Sequence, residues 1–103
     1  MIEIKQGVDL WGLSPEIWTA AVHAEIVCGM NGIRCVITSG RDGVHQKGSK
    51  HFTGQALDFR TRGLSVERVQ GFAEDLRFSL GADYDVVVES NHLHVEHDPK
   101  GKG

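Results

Sequence analysis

Two stretches of the chain place apolar residues at the spacing of a helix. From Pro15 to about Met30 the apolar positions recur every three or four residues, at Ile17, Ala20, Ala21, Ala24, Val27 and Cys28. Ser14 followed by Pro15 is typical of a helix N-cap, and Asn31-Gly32 of a helix end. A second apolar stripe, capped by Ser65 and ended by Gly81, predicts a second helix.

Five short segments carry the apolar alternation or the β-branched runs that are typical of strands. These segments are Ile2 to Ile4, Ile33 to Thr38, Ala56 to Arg60, Tyr84 to Val88 and His92 to Glu96. The order β-α-β-loop-β-α-β-β predicts a small α+β domain, with two helices packed on one face of an antiparallel or mixed sheet. We expect residues 1–97 to form one domain and residues 98–103 a flexible tail.

Composition narrows the function classes. The 103 residues are 40% hydrophobic and 24% charged, which excludes a disordered or low-complexity chain. A net charge of −3 disfavours nucleic acid as a partner. There is no apolar run long enough for a membrane span and no signal-peptide pattern, so we expect a protein made in the cytoplasm. We also expect a monomer whose two cysteines are reduced and buried.

The segment after the third predicted element is the first candidate for chemistry. Residues 39–50 form a polar, glycine-rich loop, and twelve residues is long for a compact domain, which favours a functional role. His51 follows the loop, and Asp58 lies seven residues later with Gly54 between them. Gly54 permits a turn that brings the imidazole and the carboxylate together as zinc ligands. The alternative is a polar histidine at the edge of a loop.

The last predicted hairpin is the second candidate. His92 and His94 are two apart, so they share one face of a strand. If Ser90-Asn91 is a two-residue turn, Glu89 lies opposite His92. The neighbouring valines indicate a half-buried strand, where an imidazole needs a partner such as a metal. His51, Asp58 and a histidine of this strand then supply the three ligands of a catalytic zinc site, with a carboxylate and a second histidine nearby for proton transfer and oxyanion stabilisation.

These residues resemble the motifs of a known superfamily. Residues 49–58, SKHFTGQALD, match the S-x-H-x-x-G-x-A-x-D motif of M15-type zinc peptidases, the D-Ala-D-Ala carboxypeptidase and L-Ala-D-Glu endopeptidase group. His92-Leu93-His94 matches the H-x-H motif of the wider superfamily, which includes lysostaphin-like enzymes and the hedgehog signalling domain. The segment from Ile37 to Arg41 is similar to the strand and Ser-Gly-x-Arg stretch that precede the first motif, although it is shortened here.

The resemblance implies a role for each matched residue. It implies zinc ligands at His51, Asp58 and His94, on the open face of a hedgehog- or D-Ala-D-Ala-peptidase-like fold. It implies a catalytic Glu89, five residues before His94, and an oxyanion-stabilising His92. In dipeptidase-type members the glutamate stands three residues before the ligand, and that spacing would make His92 the ligand instead. Substrate binding is implied for two further residues, Arg41 and Ser49.

The activity that the resemblance implies is zinc-dependent hydrolysis of a peptide bond in peptidoglycan stem or cross-link peptides. The small size suits a phage or bacterial cell-wall lysis enzyme that reaches the wall after release or as part of a virion. The resemblance leaves open which bond is cleaved. One alternative is a non-enzymatic, hedgehog-like zinc-binding domain that engages a protein partner, and another is a zinc-free α+β binding module.

Overall fold

The seven predicted elements are present in the computed structural model, which describes residues 1–42, 51 and 53–99. They are β1 (Ile2–Ile4), α1 (Pro15–Asn31), β2 (Cys35–Ser39), β3 (Ala56–Arg60), α2 (Val66–Leu80), β4 (Tyr84–Val88) and β5 (His92–His97). The predicted bounds are confirmed to within two residues.

Side-chain caps start both helices where the sequence places them. The Ser14 hydroxyl accepts a hydrogen bond from the backbone N–H of Ile17 at 3.2 Å, and the Ser65 hydroxyl accepts one from Arg68 at the same distance. Each bond satisfies one of the backbone donors that a helix N-terminus leaves unpaired. Gly32 ends α1 in the left-handed region, with φ of 66°.

The strands form one mixed sheet in the order β1-β2-β3-β5-β4. β1 and β2 are parallel, because α1 carries the chain back between them, and the other three pairs are antiparallel. The predicted two helices on a mainly antiparallel sheet are therefore confirmed.

The core lies between the helices and alternate residues of the sheet. Ile37, Leu57 and Phe59 face it from β2 and β3, and the ring of Phe59 meets that of Phe72 from α2 edge to face, with centroids 6.2 Å apart. The two cysteines, Cys28 and Cys35, are unpaired and buried here, as predicted. The opposite face of the sheet is left open by the helices, and it carries the candidate site.

Two further observations concern the C-terminal residues and the helices. Asp98, which the sequence assigns to the tail, donates its backbone N–H to the carbonyl of Asp83 at 2.7 Å, and residues 100–103 lie outside the described residues. Among the described residues, neither helix is long and apolar enough to cross a membrane.

Candidate metal centre

Three side chains from three parts of the chain meet on the open face of the sheet. Asp58 Oδ1 lies 2.9 Å from His94 Nδ1 and 3.2 Å from His51 Nε2, and the two imidazole nitrogens are 3.2 Å apart. His51 and Asp58 are buried, with 3% and 8% of their surface exposed, and His94 is half-buried. This group, called the triad below, can hold a metal ion.

Sheet register brings two of the triad residues together. Asp58 in β3 is the direct cross-strand partner of His94 in β5. Side chains of directly opposed residues in an antiparallel pair lie on the same face, so the carboxylate and the imidazole meet without any distortion of the strands.

A glycine turn supplies the third residue. Gly54 adopts a φ of +74°, and its backbone N–H donates to the carbonyl of His51 at 3.2 Å, which folds His51 back over β3. Gly54 is packed against the backbone of Gly12, whose carbonyl oxygen would overlap any Cβ at position 54. The glycine predicted to form this turn is therefore required both for its backbone conformation and for its close packing.

The hydrogen bonds around the triad allow its inner atoms to act as lone-pair donors to a metal ion. His51 Nδ1 lies 2.7 Å from the carbonyl oxygen of Gly40, and His94 Nε2 lies 2.9 Å from Glu96 Oε1. When these outer nitrogens carry the protons, His51 Nε2 and His94 Nδ1 present lone pairs toward Asp58. The inner atoms are then 2.9–3.2 Å apart, near the roughly 3.3 Å edge of a tetrahedron with ~2.0–2.1 Å bonds to zinc. The donor set therefore fits zinc.

Charge within the triad also suits a cation. Burial by itself would raise the pKa of the Asp58 carboxyl, but hydrogen bonds from His51 and His94 outweigh it and hold that pKa well below its usual range. The hydrogen bond to Asp58 raises the pKa of His94 against the effect of burial, and Glu96 adds to the rise. Asp58 is consequently an anion at neutral pH, and its surroundings favour a positive charge beside it.

His92 lies beside the triad and not in it. Its Nε2 is 3.7 Å from Asp58 Oδ2, while its Nδ1 lies 2.7 Å from the side-chain oxygen of Asn91. The structure thus brings His94 rather than His92 into the group with His51 and Asp58, as the resemblance implies. His92 keeps one ring nitrogen directed toward the triad from a half-buried position.

Glu89 follows β4 and closes the predicted hairpin. Its backbone N–H donates to the carbonyl of His92 at 2.9 Å, across the two-residue turn of Ser90 and Asn91. Val87 is the direct partner of His94, so side-chain alternation assigns Glu89 to the open face as well. The Glu89 side chain is exposed and makes no hydrogen bond with a described residue. It borders a cavity at the start of α2, apart from the triad.

Of the two residues predicted to bind substrate, Arg41 lies in the described part of the chain and Ser49 does not. Arg41 is exposed, its Nη1 lies 3.4 Å from the carbonyl oxygen of Trp11, and its guanidinium packs on Gly12. Ser49 lies outside the described residues. The structure therefore places the Arg41 side chain along the segment that precedes α1.

Sequence reasoning missed two residues on the same face. Glu96 holds the outer nitrogen of His94, and Arg60 lies directly opposite His92. Strand alternation was a sufficient signal for both, because 92, 94 and 96 share one face and so do 58 and 60. Asp58, Arg60 and His92 border a common cavity of about 290 Å³.

No protein-family model matches this chain, and no curated protein sequence matches it. The geometry of the triad is accordingly what identifies a candidate metal centre. The resemblance to M15-type peptidases stays a prediction from the motifs.

Proposed function

We propose that this protein is a zinc-dependent hydrolase that cleaves a peptide bond in peptidoglycan stem or cross-link peptides. The observation that carries the proposal is the triad, a buried group of one carboxylate and two imidazoles beside an open cavity. Catalytic zinc sites use three protein ligands and keep one position for water or substrate, whereas structural sites use four. The triad has three members, which is the number of protein ligands that a catalytic site uses.

The triad residues would hold the metal through His51 Nε2, Asp58 Oδ1 and His94 Nδ1. When bound, zinc supplies Lewis-acid polarisation of a carbonyl and lowers the pKa of water toward about 7. One carboxylate and two imidazole ligands would leave a dipositive ion with a net positive charge, which would favour a developing oxyanion. Gly40 and Glu96 keep the imidazoles oriented through hydrogen bonds to their outer nitrogens.

Proton transfer is assigned to the hairpin beside the triad. Glu89 is the proposed base, which accepts a proton from the attacking water and delivers it to the leaving amine. His92 is the proposed donor to the carbonyl oxygen, since one of its ring nitrogens faces the triad. The support is that residues 89 and 92 are hydrogen-bonded neighbours at the end of the hairpin and lie on the open face.

The substrate class comes from the motif resemblance together with the accessible location of the site. The triad lies on the face of the sheet that the helices leave open, so an extended peptide can approach it. Arg41 and Ser49 remain proposed contacts to this peptide. Arg41 would have to leave the carbonyl of Trp11 to make such a contact.

The test is hydrolysis of purified stem peptides and cross-linked muropeptides by the full chain, followed by mass spectrometry. We expect new fragments with zinc present, their loss with a chelator, and their return when zinc is added back. Asp58→Asn is the matched control, because it keeps the size of the side chain and removes the charge that holds the metal. Stoichiometric zinc binding without any cleavage would contradict the proposal and favour the non-enzymatic zinc-binding alternative.

A further inference from the structure

The cavity beside the triad is lined on one side by positive charge. Asp58 and His92 border it where it meets the triad, and Lys5, Arg60 and Arg62 border it as well. Its volume of about 290 Å³ lies near the lower end of the range for small-ligand sites, roughly 300–1,000 Å³. Three cations around one small cavity stand out in a chain whose net charge is −3.

Sheet register places Arg60 next to the site. It lies two residues after Asp58 in β3, hence on the same face and about 6.6 Å away along the strand. It is also the direct cross-strand partner of His92 in β5. The base of the Arg60 side chain is therefore fixed by two strands, while the guanidinium can extend into the cavity.

These cations form no ion pair with a carboxylate within the described part of the chain. Glu3, the carboxylate that Arg60 influences electrostatically, accepts two hydrogen bonds from the guanidinium of Arg34. Asp58 is engaged by the two imidazoles of the triad. No hydrogen bond or ion pair joins the side chains of Lys5, Arg60 or Arg62 to another described residue, so their charge is available to a ligand.

We propose that this cavity binds a carboxylate of the substrate peptide, one or two residues from the bond that is cleaved, with Arg60 as the principal ligand. This inference rests on the proposed function. A guanidinium matches a carboxylate with two parallel hydrogen bonds. Consecutive Cα atoms of a peptide are about 3.8 Å apart. The separation of Arg60 from Asp58 along β3, about 6.6 Å, therefore corresponds to one or two residues of the substrate peptide. Lys5 and Arg62 supply additional positive charge at the rim.

The test uses three synthetic peptides that differ in their carboxylates. They are L-Ala-γ-D-Glu-L-Lys-D-Ala-D-Ala, its C-terminal amide, and its form with D-isoglutamine in place of D-glutamate. Binding to the full chain without added metal is measured by calorimetry, and kcat/KM is measured with zinc. Arg60→Gln is compared with Arg77→Gln, which also removes one arginine but lies on α2 against the carbonyl of Val86. Thermal unfolding checks that both variants fold.

For the unmodified peptide we expect Arg60→Gln to weaken binding at least about tenfold, the size expected for one charge-assisted hydrogen bond, and Arg77→Gln to leave it unchanged. One of the two amidated peptides should bind the wild-type protein as weakly as the unmodified peptide binds Arg60→Gln. Arg60→Gln should not weaken the binding of that amidated peptide any further, and the carboxylate that it lacks is then the one that Arg60 binds. Equal effects of Arg60→Gln on all three peptides, or none, would overturn the inference. Carboxylate-dependent binding without hydrolysis by the zinc-loaded chain would refute the proposed function and leave the binding site standing.

Discussion

His94 and Glu96, two residues apart on β5, are joined by a hydrogen bond of 2.9 Å between Nε2 and Oε1. The bond orients the imidazole so that Nδ1 points at Asp58, 2.9 Å from its Oδ1. A carboxylate in this position fixes the tautomer of a metal-binding histidine and increases its basicity. Glu96 is therefore as much a part of the candidate metal centre as the three residues that would hold an ion.

Removal of Glu96 should weaken metal binding without abolishing it. We expect Glu96→Ala to lower zinc affinity by about 10–100-fold, and Glu96→Gln to have a smaller effect because its amide oxygen still accepts from His94. Competition titration against a chromophoric chelator measures both. Glu74→Ala removes an exposed carboxylate from α2 and serves as the control for net charge. Equal affinities of Glu96→Ala and wild type would show that His94 needs no such support.

The identity of the third ligand is decided by two alanine variants. His94→Ala should leave the protein unable to retain zinc, since it removes a member of the triad. His92→Ala should keep about one zinc per chain, because its Nε2 is 3.7 Å from Asp58 and outside the triad. Metal analysis after dialysis gives both values. The opposite pattern would mean that His92 is the ligand, as the dipeptidase-type spacing implies.

The proposed base is tested by Glu89→Gln. The amide has nearly the same shape and cannot accept a proton at neutral pH, so zinc and fold should be retained while hydrolysis falls by at least roughly a hundredfold. His92→Gln, assayed in parallel on the same muropeptides, reports the contribution of the oxyanion donor. If the activity of Glu89→Gln stays within a few-fold of wild type, Glu89 is not the base, and the role of general base would be assigned to His92. Loss of zinc would instead make Glu89 a support of the metal centre.

Gly54 forms the turn that positions His51, and Gly63 offers a matched control for its substitution. Both have positive φ, +74° and +85°, but a Cβ at Gly63 meets nothing within 4 Å, whereas at Gly54 it overlaps the carbonyl of Gly12. Gly63→Ala should cost about 1–2 kcal/mol from the left-handed conformation alone. Gly54→Ala should cost clearly more, and should weaken zinc binding because the turn must move. Urea unfolding and zinc titration measure the two effects; equal losses of stability would mean that the contact with Gly12 is easily relieved.

Local patterns in the sequence were enough to predict the elements of this fold. Helical periodicity, the caps at Ser14 and Ser65, and β-branched runs depend on residues a few positions apart, so each helix and strand could be located independently. The same local rules placed His92 and His94 on one face and turned the chain at Ser90-Asn91. They also identified Gly54 as the turn between His51 and Asp58.

Tertiary structure decided which of these residues meet. Alternation cannot distinguish His92 from His94, because both lie on the same face; the register of β3 against β5 sets Asp58 opposite His94 and Arg60 opposite His92. That register depends on packing of the whole sheet on two helices, which no short segment encodes. The same long-range pairing assembles the cationic cavity from β2, β3, β5 and Lys5, which follows β1. Tertiary contact also places Arg41 against the segment before α1.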